Sequence, residues 1–262
     1  YGHGTKVAGT VAMVANNGAG SAGVAHGARI MPVRIAGTDG MASISTIAQG
    51  INWAADNGAK VANVSYAVAS YSTVQSAANY MRSKGGVVVV SAGNSGALQT
   101  YAADDSMLNI SATDSNDAKA SWSNYGDAID LAAPGVSIYS TTNGGGYANV
   151  SGTSFSSPIT AATVALMMSA NGKLSPADVD KIIKSTAVDL GSAGFDQSFG
   201  FGRIDAAKAV AASKSTSTTT TVTTDTQAPT ISIAKPTGGS VSGVVPVDVN
   251  YSDNVGVARA EL

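Results

Sequence analysis

The sequence has no cysteine, which excludes disulfides and thiolate metal sites. Charge is scarce. Asp, Glu, Lys and Arg make up 12% of the 262 residues, the net charge is −2, and no basic block occurs, so nucleic acid is not an expected partner. No apolar run approaches the roughly 20 residues of a membrane-spanning helix. No Gly-x-Gly-x-x-Gly joins a first strand to a helix with an acid about 20 residues later, which argues against a dinucleotide-binding domain. Histidine is rare too: His3 and His26 are the two in the sequence.

What is present is apolar and glycine-rich. With 44% hydrophobic residues the chain can bury a sizeable core, and thirty glycines imply many tight turns or close backbone approaches. The length suits one large domain and a smaller appendage. Tyr1 leads straight into a motif and the last residues stop inside a strand-like pattern, so we expect a piece of a longer chain.

Strand and helix patterns alternate. Helical spacing is predicted from His3 through Ala12, from Ser43 to Asp56, from Tyr71 to Lys84, from Pro176 to Thr186 and from Asp205 to Ala212. Strands are predicted at 28–35, 60–66, 107–112 and 129–132, and Val87-Val88-Val89-Val90-Ser91-Ala92 reads as a strand covered on both faces. The pattern predicts an α/β fold, a mostly parallel sheet between helical layers, with sites at the carboxyl ends of the strands. Residues 213–228 are Ser/Thr-rich and read as a linker; Lys214 to Thr226 is too polar to pack. Residues 229–262 alternate with period two, around turns at Gly238-Gly239 and Asp253-Asn254, as in the start of an all-β domain.

Ser151-Gly152-Thr153-Ser154-Phe155-Ser156-Ser157-Pro158 stands where a glycine-rich loop turns into a buried helix. Ser154 is expected in the first turn, near free N–H groups and the positive end of the helix dipole, as a nucleophile generating an oxyanion requires. The same serines and threonine also suit simple capping. His3, between glycines, opens an apolar helix, whereas His26 reads as an exposed loop histidine. Asn94, in Ala92-Gly93-Asn94-Ser95-Gly96, either projects its amide into a site or serves as a turn asparagine. Asp39, Asp56, Asp104, Asp105 and Asp130 read as turn or surface carboxylates.

Gly2-His3-Gly4-Thr5-x-Val7-Ala8-Gly9-Thr10, Ser91-Ala92-Gly93-Asn94 and Ser151-Gly152-Thr153-Ser154-x-Ser156-Ser157-Pro158 resemble, in order, the histidine, oxyanion and nucleophile motifs of the subtilisin-like serine proteases. Ala132-Ala133-Pro134-Gly135 and Gly200-x-Gly202-Arg203-Ile204-Asp205-Ala206 extend the likeness, which runs over residues 1–212 and is nearest the thermitase-like subgroup. The resemblance implies a three-layer α/β sandwich and a serine endopeptidase acting on proteins or peptides, with Ser154 as nucleophile, His3 as general base and Asn94 in the oxyanion hole. It also implies that Ser65, Tyr66, Ala67, Ser91, Ala92 and Gly93 flank the substrate backbone, which would bind by strand addition.

The sequence departs from the family at several points. The family's orienting aspartate precedes the histidine, and only Tyr1 and Gly2 precede His3 here. As an isolated polypeptide the chain is expected to be impaired, by about 10⁴ in turnover. A catalytically inactive peptide-binding module is the competing reading. Lys6 stands where many members carry a second histidine, and Tyr66-Ala67-Val68 replaces a leucine and two glycines. The loop from Val14 to Ser21 resembles the family's calcium loop, with Asn17 as candidate ligand, although Asn-Asn-Gly is equally a plain turn. Residues 229–262 resemble the start of a bacterial immunoglobulin-like module, which implies a secreted enzyme, extracellular or attached to the cell surface.

Overall fold

A computed structural model describes residues 2–215, 230–235, 238–239 and 248–252. The chain divides into two compact units, Tyr1–Thr218 and Thr219–Leu262.

The first unit is built on four parallel strands, β1 (Val61–Val64), β2 (Val87–Ser91), β4 (Leu108–Thr113) and β6 (Leu131–Pro134), in the order β1-β2-β4-β6. The register sets Val64 beside Val90, Ser91 beside Ile110, and Ala112 beside Ala133. Every residue of β2 is buried, because each of its faces meets a different core. Val87 and Val89 pack with Leu108, Ile110, Val164, Met167 and Ile183. Val88 and Val90 pack with Ile47, Ile51, Val74, Ala78 and Met81 on the other side. Side chains alternate across a strand, so four consecutive valines can serve both layers at once. One layer holds α4 (Thr153–Ala170), α5 (Pro176–Ser185) and α6 (Ala206–Ser215); the other holds α2 (Ile44–Asp56) and α3 (Ser72–Ser83). The expected three-layer α/β sandwich is therefore present.

Local chemistry explains the helix starts. Ser43 Oγ accepts the Thr46 N–H at 3.1 Å to begin α2. Ser175 and Asp178 form a reciprocal capping box, with Pro176 at the first position of α5. Helix α4 needs no polar face, since it touches all four strands, α5, α6 and α1 (His3–Ala12).

Three expectations fail for physical reasons. Residues 28–35 form no strand: the Ala28 N–H turns back to the Ala25 carbonyl at 2.8 Å, among the described residues the backbone N–H groups of 29–35 have no backbone partner, and Val33 and Ile35 instead pack on Gly50 of α2. A strand-like run of residues does not make a strand when no neighbouring strand completes the ladder. Asp130 is not a surface carboxylate. It is 12% exposed, pairs with Lys184 at 2.7 Å and accepts the Asn109 N–H at 2.8 Å. Residues 213–215 belong to α6 and not to a linker, since Ser213 is buried and its carbonyl accepts from Asn171 Nδ2 at 2.9 Å. Two small pairings, β3 (Leu98–Gln99) with β5 (Tyr125–Gly126), and β7 (Ile138–Thr141) with β8 (Tyr147–Val150), are not legible from period alone.

In the second unit β9 (Thr230–Lys235) pairs antiparallel with β10 (Asp248–Ser252), Tyr251 opposite Ile231. The rest of the expected linker and the turn at Asp253-Asn254 lie outside the described residues. No helix among the described residues is long and apolar enough to cross a membrane.

Candidate active site

The site is assembled at the start of α4. Strand β8 ends at Val150, and Gly152 turns the chain into the helix with φ 149° and ψ 154°, a conformation open to glycine. No side chain of its own caps this helix. Asn94, from the loop after β2, does so instead: its Oδ1 accepts both the Thr153 N–H at 2.9 Å and the Thr153 Oγ1–H at 2.8 Å. Thr153 Oγ1 in turn accepts the Gly93 N–H at 3.1 Å. Two donors on one oxygen fix which way the amide faces, so Nδ2 is the end of Asn94 left to act as a donor. The Ser154 N–H is one of the orphan donors of a helix start and has no backbone partner among the described residues. Ser154 is half-buried, and both donors converge at Gly152: a Cβ there would lie 3.5 Å from Asn94 Nδ2 and 3.7 Å from the Ser154 nitrogen.

His3 comes to the same helix from α1. Helix α1 packs against α4, and the His3 ring lies 6.0 Å from the ring of Phe155, centroid to centroid, tilted by 48°. The β7–β8 hairpin fixes α1: Ser140 Oγ donates to the Lys6 carbonyl at 2.6 Å, and Thr141 Oγ1 to the Thr5 carbonyl at 2.8 Å. Burial holds the His3 pKa below its ordinary value, and the Lys6 charge lowers it further. Both causes act against the imidazolium and leave a neutral base at neutral pH. The structure thus brings His3, Ser154 and Asn94 to the first turn of one helix.

The segments expected to flank the substrate differ in exposure. Ala67 is exposed and Gly93 partly so, and they abut: a Cβ on Gly93, whose φ is 104°, would lie 3.1 Å from the Ala67 methyl and 2.5 Å from Asn124 Nδ2. Tyr66 donates its hydroxyl to the Gly40 carbonyl at 2.7 Å. Ser91 and Ala92 are buried, and the Ala92 carbonyl accepts from Gln99 Nε2 at 2.7 Å and Asn124 Nδ2 at 2.9 Å. Their side chains are therefore not at the surface. Ser65 Oγ donates to the Ser154 carbonyl at 2.9 Å, so its hydroxyl is committed to the helix.

Sequence reasoning passed over Asn124 and Asn63. Asn124 staples the loop after β2, accepting from Ser95 N at 3.1 Å and Ala97 N at 3.0 Å. Asn63 Nδ2 donates to Ser65 Oγ at 3.0 Å. No motif marks these residues; their roles exist only once the partners are in place.

Asn17 and His26 lie elsewhere, and both are exposed. Asn17 Oδ1 accepts the Ala19 N–H at 3.1 Å, as in a plain turn. The described residues contain no cluster of three or more His, Asp or Glu that could hold a metal. One neutral amide oxygen, already hydrogen-bonded, does not by itself fit a calcium ion.

Comparison with known proteins agrees with this geometry. The Subtilase family profile matches residues 1–202. Subtilisin BL of Lederbergia lenta is 41% identical over 211 residues, covering 79% of this chain and 77% of the relative. An extracellular protease of Xanthomonas campestris is 42% identical over 236 residues, covering 80% of this chain and 40% of that protein. A solved protease structure from Pseudoalteromonas arctica superposes with a TM-score of 0.70 at 36% identity, covering 80% of this chain and 70% of the other. The inactive peptide-binding reading is not favoured by these relatives. The chain belongs to the subtilase family of serine endopeptidases.

Proposed function

We propose that Ser154 is the nucleophile, His3 the general base, and Asn94 Nδ2 with the Ser154 N–H the oxyanion donors. Ser154 Oγ attacks the scissile carbonyl while His3 takes its proton. The negative charge moves to the carbonyl oxygen, where the two N–H donors stabilise it. His3 then protonates the leaving amine as the C–N bond breaks, and an acyl-enzyme remains on Ser154. Water repeats the sequence and releases the carboxylate product. The observation that carries this reading is the Asn94 clamp. Thr153 holds the amide oxygen through two hydrogen bonds, which leaves Nδ2 as the donor end of Asn94 at the start of α4 and supports its role as an oxyanion donor.

Substrate peptides add as a strand along 65–67 and Gly93, with main-chain hydrogen bonds supplying affinity. An uncharged pocket there favours apolar or aromatic side chains. In the family's order the carboxylate that orients the histidine precedes it, and every Asp of this sequence follows His3. Calcium belongs to the reading only as a structural ion at the Val14–Ser21 loop, with Asn17 as one ligand; no step of the reaction passes through it. We further assign the enzyme to the extracellular space, with residues 229–262 as the start of an immunoglobulin-like module for display or cell-surface attachment. Support comes from the Xanthomonas relative, described as extracellular. The test of the catalytic assignment is covalent: a fluorophosphonate should modify Ser154 in the full-length protein, and modification elsewhere would overturn the assignment.

A further inference from the structure

A proline sits inside the helix that carries the nucleophile, and its position has a chemical consequence. In an α-helix the carbonyl of residue i accepts the N–H of residue i+4. For Ser154 that residue is Pro158, which has no N–H, and a proline ring also crowds the carbonyl four residues before it. The Ser154 carbonyl is thereby deprived of its helical partner, with buried Thr153 and Phe155 on either side of it. Ser65 Oγ supplies the missing hydrogen bond at 2.9 Å, from the end of the neighbouring strand β1.

Ser65 does not act alone. A hydroxyl has one proton, and the direction in which Ser65 spends it is set from behind. Asn63 Nδ2 donates to Ser65 Oγ at 3.0 Å, so the Ser65 proton is directed at Ser154. The Asn63 amide is itself oriented, because buried Ser157 donates to its Oδ1 at 2.6 Å. Ser157 stands one turn beyond Ser154 on α4, so the hydrogen-bonded chain leaves the helix, crosses to β1 and returns to the nucleophile.

We infer that Ser65, oriented by Asn63 and Ser157, is a positioning residue for Ser154 that replaces the hydrogen bond removed by Pro158. The inference rests on the reading of Ser154 as nucleophile. Holding the Ser154 carbonyl fixes the backbone that carries both its Oγ and its N–H, and small misplacements of reacting groups are costly in rate. The role of Ser65 is thus to align the nucleophile and not to line a substrate pocket.

The experiment is a double-mutant cycle on the full-length enzyme, with kcat and KM on a chromogenic peptide and peptide mapping of a fluorophosphonate adduct. Ser65→Ala should lower kcat by about tenfold, the scale of one unmade hydrogen bond, with KM little changed. Ser65→Thr keeps the hydroxyl and should recover most of that loss. Asn63→Asp is nearly isosteric but turns a donor into an acceptor. It should draw the Ser65 proton away from Ser154 and reproduce the Ser65→Ala loss in kcat. Pro158→Ala restores an N–H to the helix, so in that background Ser65→Ala should cost less than about threefold, a coupling that independent sites do not show. Equal Ser65→Ala losses in both backgrounds, or a loss confined to KM, would overturn the inference while leaving Ser154 as nucleophile. Failure of the parent enzyme to be modified at Ser154 would overturn the nucleophile assignment, and this inference with it.

Discussion

Thr153→Val removes one oxygen from the centre of the site. Thr153 is fully buried, and valine occupies nearly the same space, so the perturbation is polar and not steric. Two interactions disappear: the 2.8 Å hydrogen bond from Oγ1 to Asn94 Oδ1, and the 3.1 Å hydrogen bond that Oγ1 accepts from the Gly93 N–H. The 2.9 Å bond from the Thr153 N–H to the same Asn94 oxygen survives. Losing one net hydrogen bond and leaving one part-buried N–H without its acceptor costs about 2 kcal/mol of stability. The effect on rate has an upper bound. Losing an oxyanion donor outright costs about 10²–10³ in kcat, a figure established on subtilisin itself and so not independent of this family. Half of the Asn94 anchor remains, so the expected loss is about tenfold in kcat, with KM unchanged. Steady-state kinetics and calorimetry on the full-length enzyme, with Thr153→Ser as the hydroxyl-retaining comparison, measure both quantities. A Thr153→Val enzyme of undiminished kcat would show that the hydroxyl has no part in orienting Asn94.

Two further predictions concern charge. Lys184→Met removes the cation paired with buried Asp130 and should destabilise the fold by about 3 kcal/mol at neutral pH. Burial raises the Asp130 pKa and the Lys184 charge opposes this, so losing Lys184 raises it further. A raised native pKa means that the folded state binds more protons, and stability returns as pH falls through that value; a destabilisation independent of pH would refute the ion-pair account. In Lys6→Gln a cation that disfavours the His3 imidazolium is gone, so the His3 pKa rises and the acid limb of kcat/KM moves to higher pH, with an unchanged plateau. The difference should shrink as salt screens the Lys6 charge, and a limb that does not move would remove Lys6 from the electrostatics of the site.

The legible parts of the sequence were those where chemistry or geometry leaves few choices. Val87 to Val90 announced a doubly covered strand, because four valines in succession present an apolar side chain to each face. The stretches around His3, Asn94 and Ser154 stood out through their resemblance, in order, to three motifs of one family; each stretch alone also suited a cap or a turn. Residues 28–35 misled because a strand is a property of a pair, and a strand-like run of residues records only one member. Asp130 misled for a related reason: its burial depends on Lys184, from a helix that follows much later in the chain. Ser65 was assigned to the substrate wall by its place in a motif, yet its hydroxyl is committed to the Ser154 carbonyl. That commitment follows from Pro158, which was in plain view in the sequence, but only the fold shows which hydroxyl fills the gap.

The central claim is that the hydroxyl at the start of α4 is activated by the imidazole at the start of α1. Peptide mapping by mass spectrometry after fluorophosphonate treatment of the full-length enzyme measures this most directly, with His3→Ala alongside the parent. One adduct per chain is expected, on Ser154, formed at a rate that collapses in His3→Ala. An adduct on another serine, or modification of Ser154 at an undiminished rate without His3, would contradict it.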